Sequence, residues 1–192
     1  MELVFATANK NKVLEVQKVV GQKIKLLSLT DIGCHVEIPE TANSFKGNAL
    51  QKAKFIYDKF KLNCFADDSG LEVSALNNEP GVYSARYAGE PKNDVANTKK
   101  LLSSLKGENN RKARFKTVIA LIIDGKTEYF EGVINGQITQ NAIGSGGFGY
   151  DPVFIPDGYN KTFAQMSLDE KNGISHRALA TQKLVQFLAT KA

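Results

Sequence analysis

The Asp124-Gly125 pair is the feature of this sequence that most constrains the fold. It separates two strand-like segments, 114–123 and 127–138, and a two-residue Asp-Gly loop between strands predicts a tight β-hairpin. Upstream of the hairpin, apolar strand-like segments alternate with segments in which apolar residues recur at helical spacing. Helices between strands followed by a hairpin predict an α/β fold, with a mixed sheet flanked by helices.

Capping residues and periodicity predict where the helices begin. We expect helices after Asn9 or Asn11, after Asn43 or Ser44, over 95–105 and after Ser175. Strands are expected over 3–6 and 24–29, in a segment that ends at Phe65-Ala66, and over 71–76.

Length and composition describe an ordinary globular protein. The 192 residues predict one domain, 1–192, and the longest apolar run, 117–123, is too short to span a bilayer. The net charge of +5 favours an anionic partner without identifying it. Cys34 and Cys64 lack metal-ligand spacing and the N-terminus has no secretion signal, so we expect two buried thiols in a cytoplasmic protein.

Two adjacent carboxylates, Asp67 and Asp68, follow an apolar strand segment. Neighbouring strand residues point to opposite faces, so the two acids are expected to have different roles. A hard cation such as Mg²⁺ prefers carboxylate oxygens, and Glu40 lies in a loop from which it could join them. A metal or acid–base site is the favoured interpretation. A turn at 68–70, with Asp67 as its cap, is the alternative.

Two segments contain lysines that could bind an anion such as phosphate. Thr7, Asn9 and Lys12 lie between a predicted strand and a helix, where backbone N–H groups attract phosphate; the alternative is a plain helix cap with solvated lysines. Asn48 and Lys52 lie one helical turn apart on a common face. The alternative for Lys52 is a lysine that extends past the core into solvent.

Two later segments complete the candidates. The glycine-rich segment 144–152 allows close approach of a ligand to the backbone, with Phe148 as a stacking platform; the alternative is a flexible loop with a docked aromatic ring. His176 and Arg177 place a cationic pair at a helix N-terminus, where the helix dipole disfavours positive charge, so a functional role is expected. A neutral structural histidine is the alternative.

Five motifs in this order, TANKNKVLE, ADDSGLEV, PGVYSARYAG, GSGGFGYDPVFIP and EKNGISHRA, closely resemble the inosine triphosphate pyrophosphatase family. The resemblance runs from Thr7 to the final helix. It implies a long mixed central sheet with two lobes and an active-site cleft between them, in a protein that is typically a homodimer. It also implies a Mg²⁺-dependent hydrolase that converts ITP, dITP or XTP to the monophosphate and pyrophosphate.

The resemblance also assigns roles to individual residues. Asp68 is implied as the general base, and the metal is implied to be held by Glu40, Asp67 and Asp68. Substrate binding is implied for Thr7, Asn9, Lys12, Lys52, Ser69, Phe148, Gly149, Tyr150, Asp151, Lys171, His176 and Arg177.

Two rival functions are weighed against this one. A nucleoside triphosphate pyrophosphatase with another base preference, such as modified pyrimidines, would share the same motifs. A basic nucleic-acid-binding module would explain the pI of ≈ 9.1, but the sequence has no binding motif of that kind. We therefore expect neither a nucleic-acid partner nor a membrane partner.

Overall fold

The computed structural model describes residues 1–22 and 24–191. Its strands are β1 (Glu2–Phe5), β2 (Lys25–Leu27), β3 (Cys64–Val73), β4 (Lys112–Ile123), β5 (Lys126–Ile138) and β6 (Phe154–Pro156). Its α-helices are α1 (Lys10–Val20), α2 (Phe45–Phe60), α3 (Asp94–Ser104), α4 (Leu168–Ile174) and α5 (His176–Ala189). Short 3₁₀ segments include Gly81–Arg86, which precedes α3.

The strands form one six-stranded mixed sheet in the order β2-β1-β3-β4-β5-β6. β1 is parallel to both β2 and β3, and β5 is antiparallel to β6. Asp124 and Gly125 both have positive φ, 50° and 77°, which is the conformation that a two-residue hairpin between β4 and β5 requires. The predicted mixed α/β sheet with flanking helices is confirmed. The cleft between two lobes and the single domain 1–192 stay predictions, and Lys23 and Ala192 lie outside the described residues.

The boundaries predicted around the third strand are wrong, and Ser74–Leu76, predicted as strand, forms a 3₁₀ segment. The sequence predicted that a strand ends at Ala66 and that another begins at Leu71, whereas β3 runs without a break from Cys64 to Val73. The turn signal of Asp68-Ser69-Gly70 is overridden because β3 lies beside β4 in the sheet and most of its residues are buried, which favours extended backbone. The alternative in which the aspartates belong to a turn is therefore excluded.

The chain divides into two compact units. The first comprises 1–68, 117–132 and 176–192, and the second comprises 69–116 and 133–175. In the first unit, alternate strand residues enter two separate hydrophobic clusters. Leu3, Phe5 and Phe65 pack with residues of α1 and α5, while the intervening Val4 and Ala66 pack with α2.

The second unit has a hydrophobic cluster of its own. It combines the end of β3, helix α3 and aromatic side chains, with Phe115, Phe154 and Phe163 in mutual ring contact. Cys34 and Cys64 are free, buried thiols of the first unit, as predicted. In the part of the chain that the structure describes, no helix has the length and hydropathy that a membrane span needs.

Candidate active site

Strand periodicity gives Asp67 and Asp68 different environments, as the sequence predicted. Asp67 has the parity of Phe5 and Phe65, so it faces α1 and α5, where Lys12 Nζ donates to its Oδ1 at 3.0 Å and Arg177 Nε donates to its Oδ2 at 3.1 Å. The side chain is fully buried. Burial alone would raise the pKa of Asp67, but the charges of Lys12, Arg177 and Lys52 outweigh burial and hold the pKa well below its usual range. The ionised form of Asp67 is therefore favoured.

Asp68 faces the other side of the sheet, towards α2. Its Oδ2 accepts a hydrogen bond of 3.0 Å from Asn48 Nδ2, and Asn48 Oδ1 in turn accepts from the backbone N–H of Ala42 at 2.9 Å. Burial raises the pKa of the Asp68 carboxyl above its usual value, although the charges of Lys52 and Lys12 act in the opposite direction. The two neighbouring acids therefore differ in protonation energetics as well as in direction.

Lys52 does not extend into solvent. Lys52 is only 6% exposed, and its Nζ forms an ion pair with Glu40, which precedes α2. Asn48 and Lys52 lie on one face of α2, as their spacing predicted. The alternative of a solvated lysine beside the core is wrong.

The N-terminus of α1 combines a cap with a buried cation. Asn9 Oδ1 accepts from the backbone N–H groups of Asn11 and Lys12, at 3.0 and 3.3 Å, and Thr7 Oγ1 accepts from the N–H of Asn9 at 3.2 Å. Asn9 is therefore the helix cap. The Lys12 side chain is only 14% exposed, so the alternative of solvated lysines does not hold for it. Burial and the nearby cations lower the pKa of Lys12, which the Asp67 carboxylate partly offsets.

Arg177 is buried and paired with carboxylates, whereas an arginine that contacts a purine base would have its guanidinium exposed to the ligand. Arg177 is 2% exposed, its NH1 group pairs with Glu15, and its Nε pairs with Asp67. These carboxylates hold the pKa of the guanidinium above its usual value despite burial. The geometry favours a role for Arg177 in fixing Asp67, and base reading by Arg177 stays a prediction.

Glu15 is a residue that the sequence analysis missed. It is buried on α1, three residues after Lys12 and therefore on the same helix face. One sequence signal could have identified Glu15: it is a carboxylate next to Val16 and Val20, the buried apolar residues of α1. An ionised side chain enters a core only when it is paired, so a carboxylate at such a position indicates a buried partner.

The predicted metal set does not form a compact cluster. Among the described residues, no group of three or more histidine, cysteine, aspartate or glutamate side chains could hold a metal ion together. Lysine and arginine side chains lie against Asp67 and Glu40. Ser69 follows Asp68 on β3 and is half-buried.

The glycine-rich loop of the second unit is held by buried polar groups. Asp151 Oδ2 accepts from the backbone N–H of Phe148 at 2.9 Å and from Lys171 Nζ at 2.6 Å. Asp151 and Lys171 are both buried, and the Lys171 ammonium lies 4.9 Å from the centroid of the Phe148 ring. The alternative of a flexible loop is not supported, since the backbone of Phe148 is bound directly to this ion pair.

Tyr150 and His176 are buried as well. The Tyr150 ring belongs to the hydrophobic cluster of the second unit, and its hydroxyl donates to the carbonyl oxygen of Ser84 at 2.7 Å. This indicates a structural role for the Tyr150 side chain, and substrate binding by Tyr150 stays a prediction. His176 is the first residue of α5 and is 4% exposed.

Comparison with known proteins identifies the relatives of this chain. A protein named dITP/XTP pyrophosphatase from Flavobacterium psychrophilum is 57% identical over 187 residues, which are 97% of this chain and 98% of the relative. A protein of the same name from Porphyromonas gingivalis is 53% identical over 188 residues, 97% of each chain.

A solved structure gives the same result. The Ham1 protein of Staphylococcus aureus matches the fold with a TM-score of 0.91 at 38% identity, over 100% of both chains. The sequence pattern of the Ham1 family matches residues 3–187. The family relationship indicated by the five motifs is thereby confirmed, and the chain belongs to the Ham1 family.

Proposed function

We propose that this protein hydrolyses the non-standard purine nucleoside triphosphates dITP, XTP and ITP to the monophosphate and pyrophosphate. The two relatives named dITP/XTP pyrophosphatase support the reaction class and the substrates. The structural observation that carries the proposal is the pair Asp67 and Asp68, with Lys12 and Lys52 beside them. This reaction would remove deaminated purines from the nucleotide pool. Because that pool is cytoplasmic, the proposal places the protein in the cytoplasm.

Cations and the helix end account for binding of the phosphate chain. Lys12 and Lys52 supply two largely buried ammonium groups, and Thr7 and Asn9 lie at the N-terminus of α1. A triphosphate carries close to four negative charges, so charge-assisted hydrogen bonds in a site of low polarity favour it strongly. The ion pairs of Lys12 and Lys52 would be exchanged in part for phosphate oxygens when the substrate binds.

The carboxylates fit a hydrated Mg²⁺ better than a metal enclosed by protein ligands. Mg²⁺ usually retains several waters and takes one or two carboxylates. Asn48 donates a hydrogen bond to Asp68, and burial raises the pKa of the Asp68 carboxyl, so a bound cation would favour its ionised form. Asp68 is the expected direct ligand, with Asp67 and Glu40 in support. A bound Mg²⁺ would supply neutralisation of the charge that develops on pyrophosphate.

The chemical step needs a proton acceptor. The oxygen of a water molecule forms a bond to the α-phosphorus while the bond from that phosphorus to the bridging oxygen breaks, which releases pyrophosphate. The proton of the water passes to the Asp68 carboxylate, which Asn48 orients through its 3.0 Å hydrogen bond. Lys12 and Lys52 stabilise the leaving group.

Base selection follows from the 6-oxo group of hypoxanthine and xanthine. A donor from Arg177, His176 or the backbone would meet an acceptor in dITP but an amine in ATP, and an unpaired buried donor costs about 1–3 kcal/mol. Stacking on Phe148 would favour every base alike. Lys171, Asp151 and Gly149 would complete the base-binding set.

The test is release of pyrophosphate from dITP, XTP, ITP, dATP, ATP and GTP, with Mg²⁺ and with EDTA. We expect metal-dependent release from the first three substrates, and Asp68→Asn should abolish it while nucleotide binding is retained. Equal rates on ATP, orthophosphate as the product, or turnover of modified pyrimidines alone would each contradict the proposal. Sedimentation of the purified protein would test the proposed homodimer.

A further inference from the structure

Helix α3 holds the residue that follows Phe148 by both of its backbone groups. The N–H of Gly149 donates to Asp94 Oδ2 at 2.7 Å, and the carbonyl of Gly149 accepts from Thr98 Oγ1 at 3.4 Å. Asp94 is the first residue of α3, and Thr98 lies one turn further on, so both side chains reach the loop from the same face.

The neighbouring contacts leave Phe148 little freedom. Its own N–H donates to Asp151 Oδ2, and two residues later the Tyr150 hydroxyl donates to the carbonyl oxygen of Ser84, in the 3₁₀ segment that precedes α3. The bond from the N–H of Gly149 to Asp94 is charge-assisted, and such bonds are about twice as strong as neutral ones. The position of the Phe148 ring is therefore tied to α3 through Gly149.

We propose that Asp94 and Thr98 are positioning residues that set the place of the Phe148 ring for stacking on the purine base. This inference rests on the proposed function, because it assumes that Phe148 contacts the base. Neither side chain needs to touch the substrate, since each acts through the backbone of Gly149.

Steady-state kinetics with dITP test the role of Asp94. Asp94→Ala should raise KM about tenfold and leave kcat within about twofold, as expected for loss of one charge-assisted hydrogen bond. Asp94→Asn should restore most of the affinity, because a carboxamide oxygen still accepts from Gly149. The matched control is Asn93→Ala, which removes the N-cap hydrogen bond of α3 to the N–H of Ala96 at 2.9 Å and should lower Tm without changing KM.

A double-mutant cycle separates positioning from general destabilisation. Phe148→Ala should raise KM, and the addition of Asp94→Ala to that variant should raise it no further, because the ring that Asp94 positions is already absent. If Asp94 acted only on stability, the KM of the double variant would instead rise by the product of the two single increases.

A second measurement does not depend on turnover. The chain has no tryptophan, so Phe148→Trp introduces one fluorophore at the position in question. In that background, Asp94→Ala and, separately, Thr98→Val should each increase quenching by iodide at least about twofold, because the ring becomes more mobile and more exposed.

The outcomes are distinct. An unchanged KM for Asp94→Ala with wild-type turnover, or KM effects that multiply with those of Phe148→Ala, would overturn the inference and leave the proposed function intact. Absence of pyrophosphate release from the wild-type protein would overturn the proposed function first, and the quenching experiment would still report whether α3 holds the loop.

Discussion

Two adjacent aspartates show how one residue's position along a strand decides its chemistry. Asp67 faces Lys12 and Arg177, whereas Asp68 faces Asn48. The pKa of Asp67 is lowered and that of Asp68 is raised, so the ionised form is stabilised at one position and disfavoured at the next. Side-chain alternation alone predicted that the roles differ. It did not identify the partners, because Arg177 is separated from Asp67 by 110 residues of sequence.

The same substitution at these two positions should affect stability very differently. Asp67→Asn removes the carboxylate that pairs with Lys12 and leaves Arg177 with Glu15 alone, so we expect the free energy of unfolding to fall by about 3 kcal/mol. Asp68→Asn replaces a carboxyl whose ionised form is not favoured, and the change should be below about 1 kcal/mol. Urea denaturation followed by circular dichroism at pH 7 measures both variants. Equal losses of stability would contradict the assignment of their environments.

At the scale of elements, local sequence signals predicted most helices and strands but not their continuity. The cap at Asn9, the cap at Ser44 and the hairpin at Asp124-Gly125 all depend on interactions within a few residues. Strand β3 does not, since its path through Ser69-Gly70 depends on neighbouring strands that are distant in sequence. The predicted break failed there because tertiary pairing outweighed turn propensity.

At Gly132 the backbone of β5 lies close to the backbone of helix α5. A Cβ at this position would lie 2.0 Å from the carbonyl oxygen of His176 and 2.6 Å from the backbone nitrogen of Ala180. Gly132→Ala should therefore lower the free energy of unfolding by about 3 kcal/mol, because backbone atoms cannot yield as a side chain can.

The matched control is Gly173→Ala, at a glycine of α4. A Cβ there would meet no atom within 4 Å, and alanine is the better helix former, so stability should be unchanged or slightly higher. Thermal unfolding of both variants is the measurement. A wild-type Tm for Gly132→Ala would show that β5 and α5 can separate without loss of stability.

For the whole molecule, the sequence was sufficient for the fold class and for most candidate residues, and insufficient for their pairings. The five motifs contain Lys12, Asp67, Asp68 and Arg177, and the helical spacing of Asn48 and Lys52 pointed to Lys52. The structure adds Glu15 as a partner of Arg177. Buried ion pairs between distant segments have no local pattern in sequence, because each partner is specified by the fold. The role of Asp94 was missed for the same reason, since its contact with Gly149 joins residues 55 positions apart.

The two compact units share three strands. The unit boundaries fall within β3, β4 and β5, at 68/69, 116/117 and 132/133. Each of these strands begins in one unit and continues in the other, so order in one part of the strand constrains the backbone of the adjoining part. We therefore expect the described chain to unfold in one cooperative step.

Native-state hydrogen exchange tests this expectation on one strand. The amides of Phe115 and Ile119 belong to different units but to the same strand, β4, and both residues are buried. Their free energies of opening should agree within about 1 kcal/mol. A much lower value for Phe115 would show that the second unit opens by itself.

The fastening of the glycine-rich loop has a consequence for how this protein can change over evolutionary time. The backbone around Phe148 is fixed by Asp151, Asp94 and Tyr150, and none of these bonds involves the Phe148 ring. The conformational entropy of the loop is therefore lost during folding and is not lost again when a ligand arrives. The side chain at 148 can be exchanged without rebuilding its support, so the strength of stacking on the base can change through a single codon.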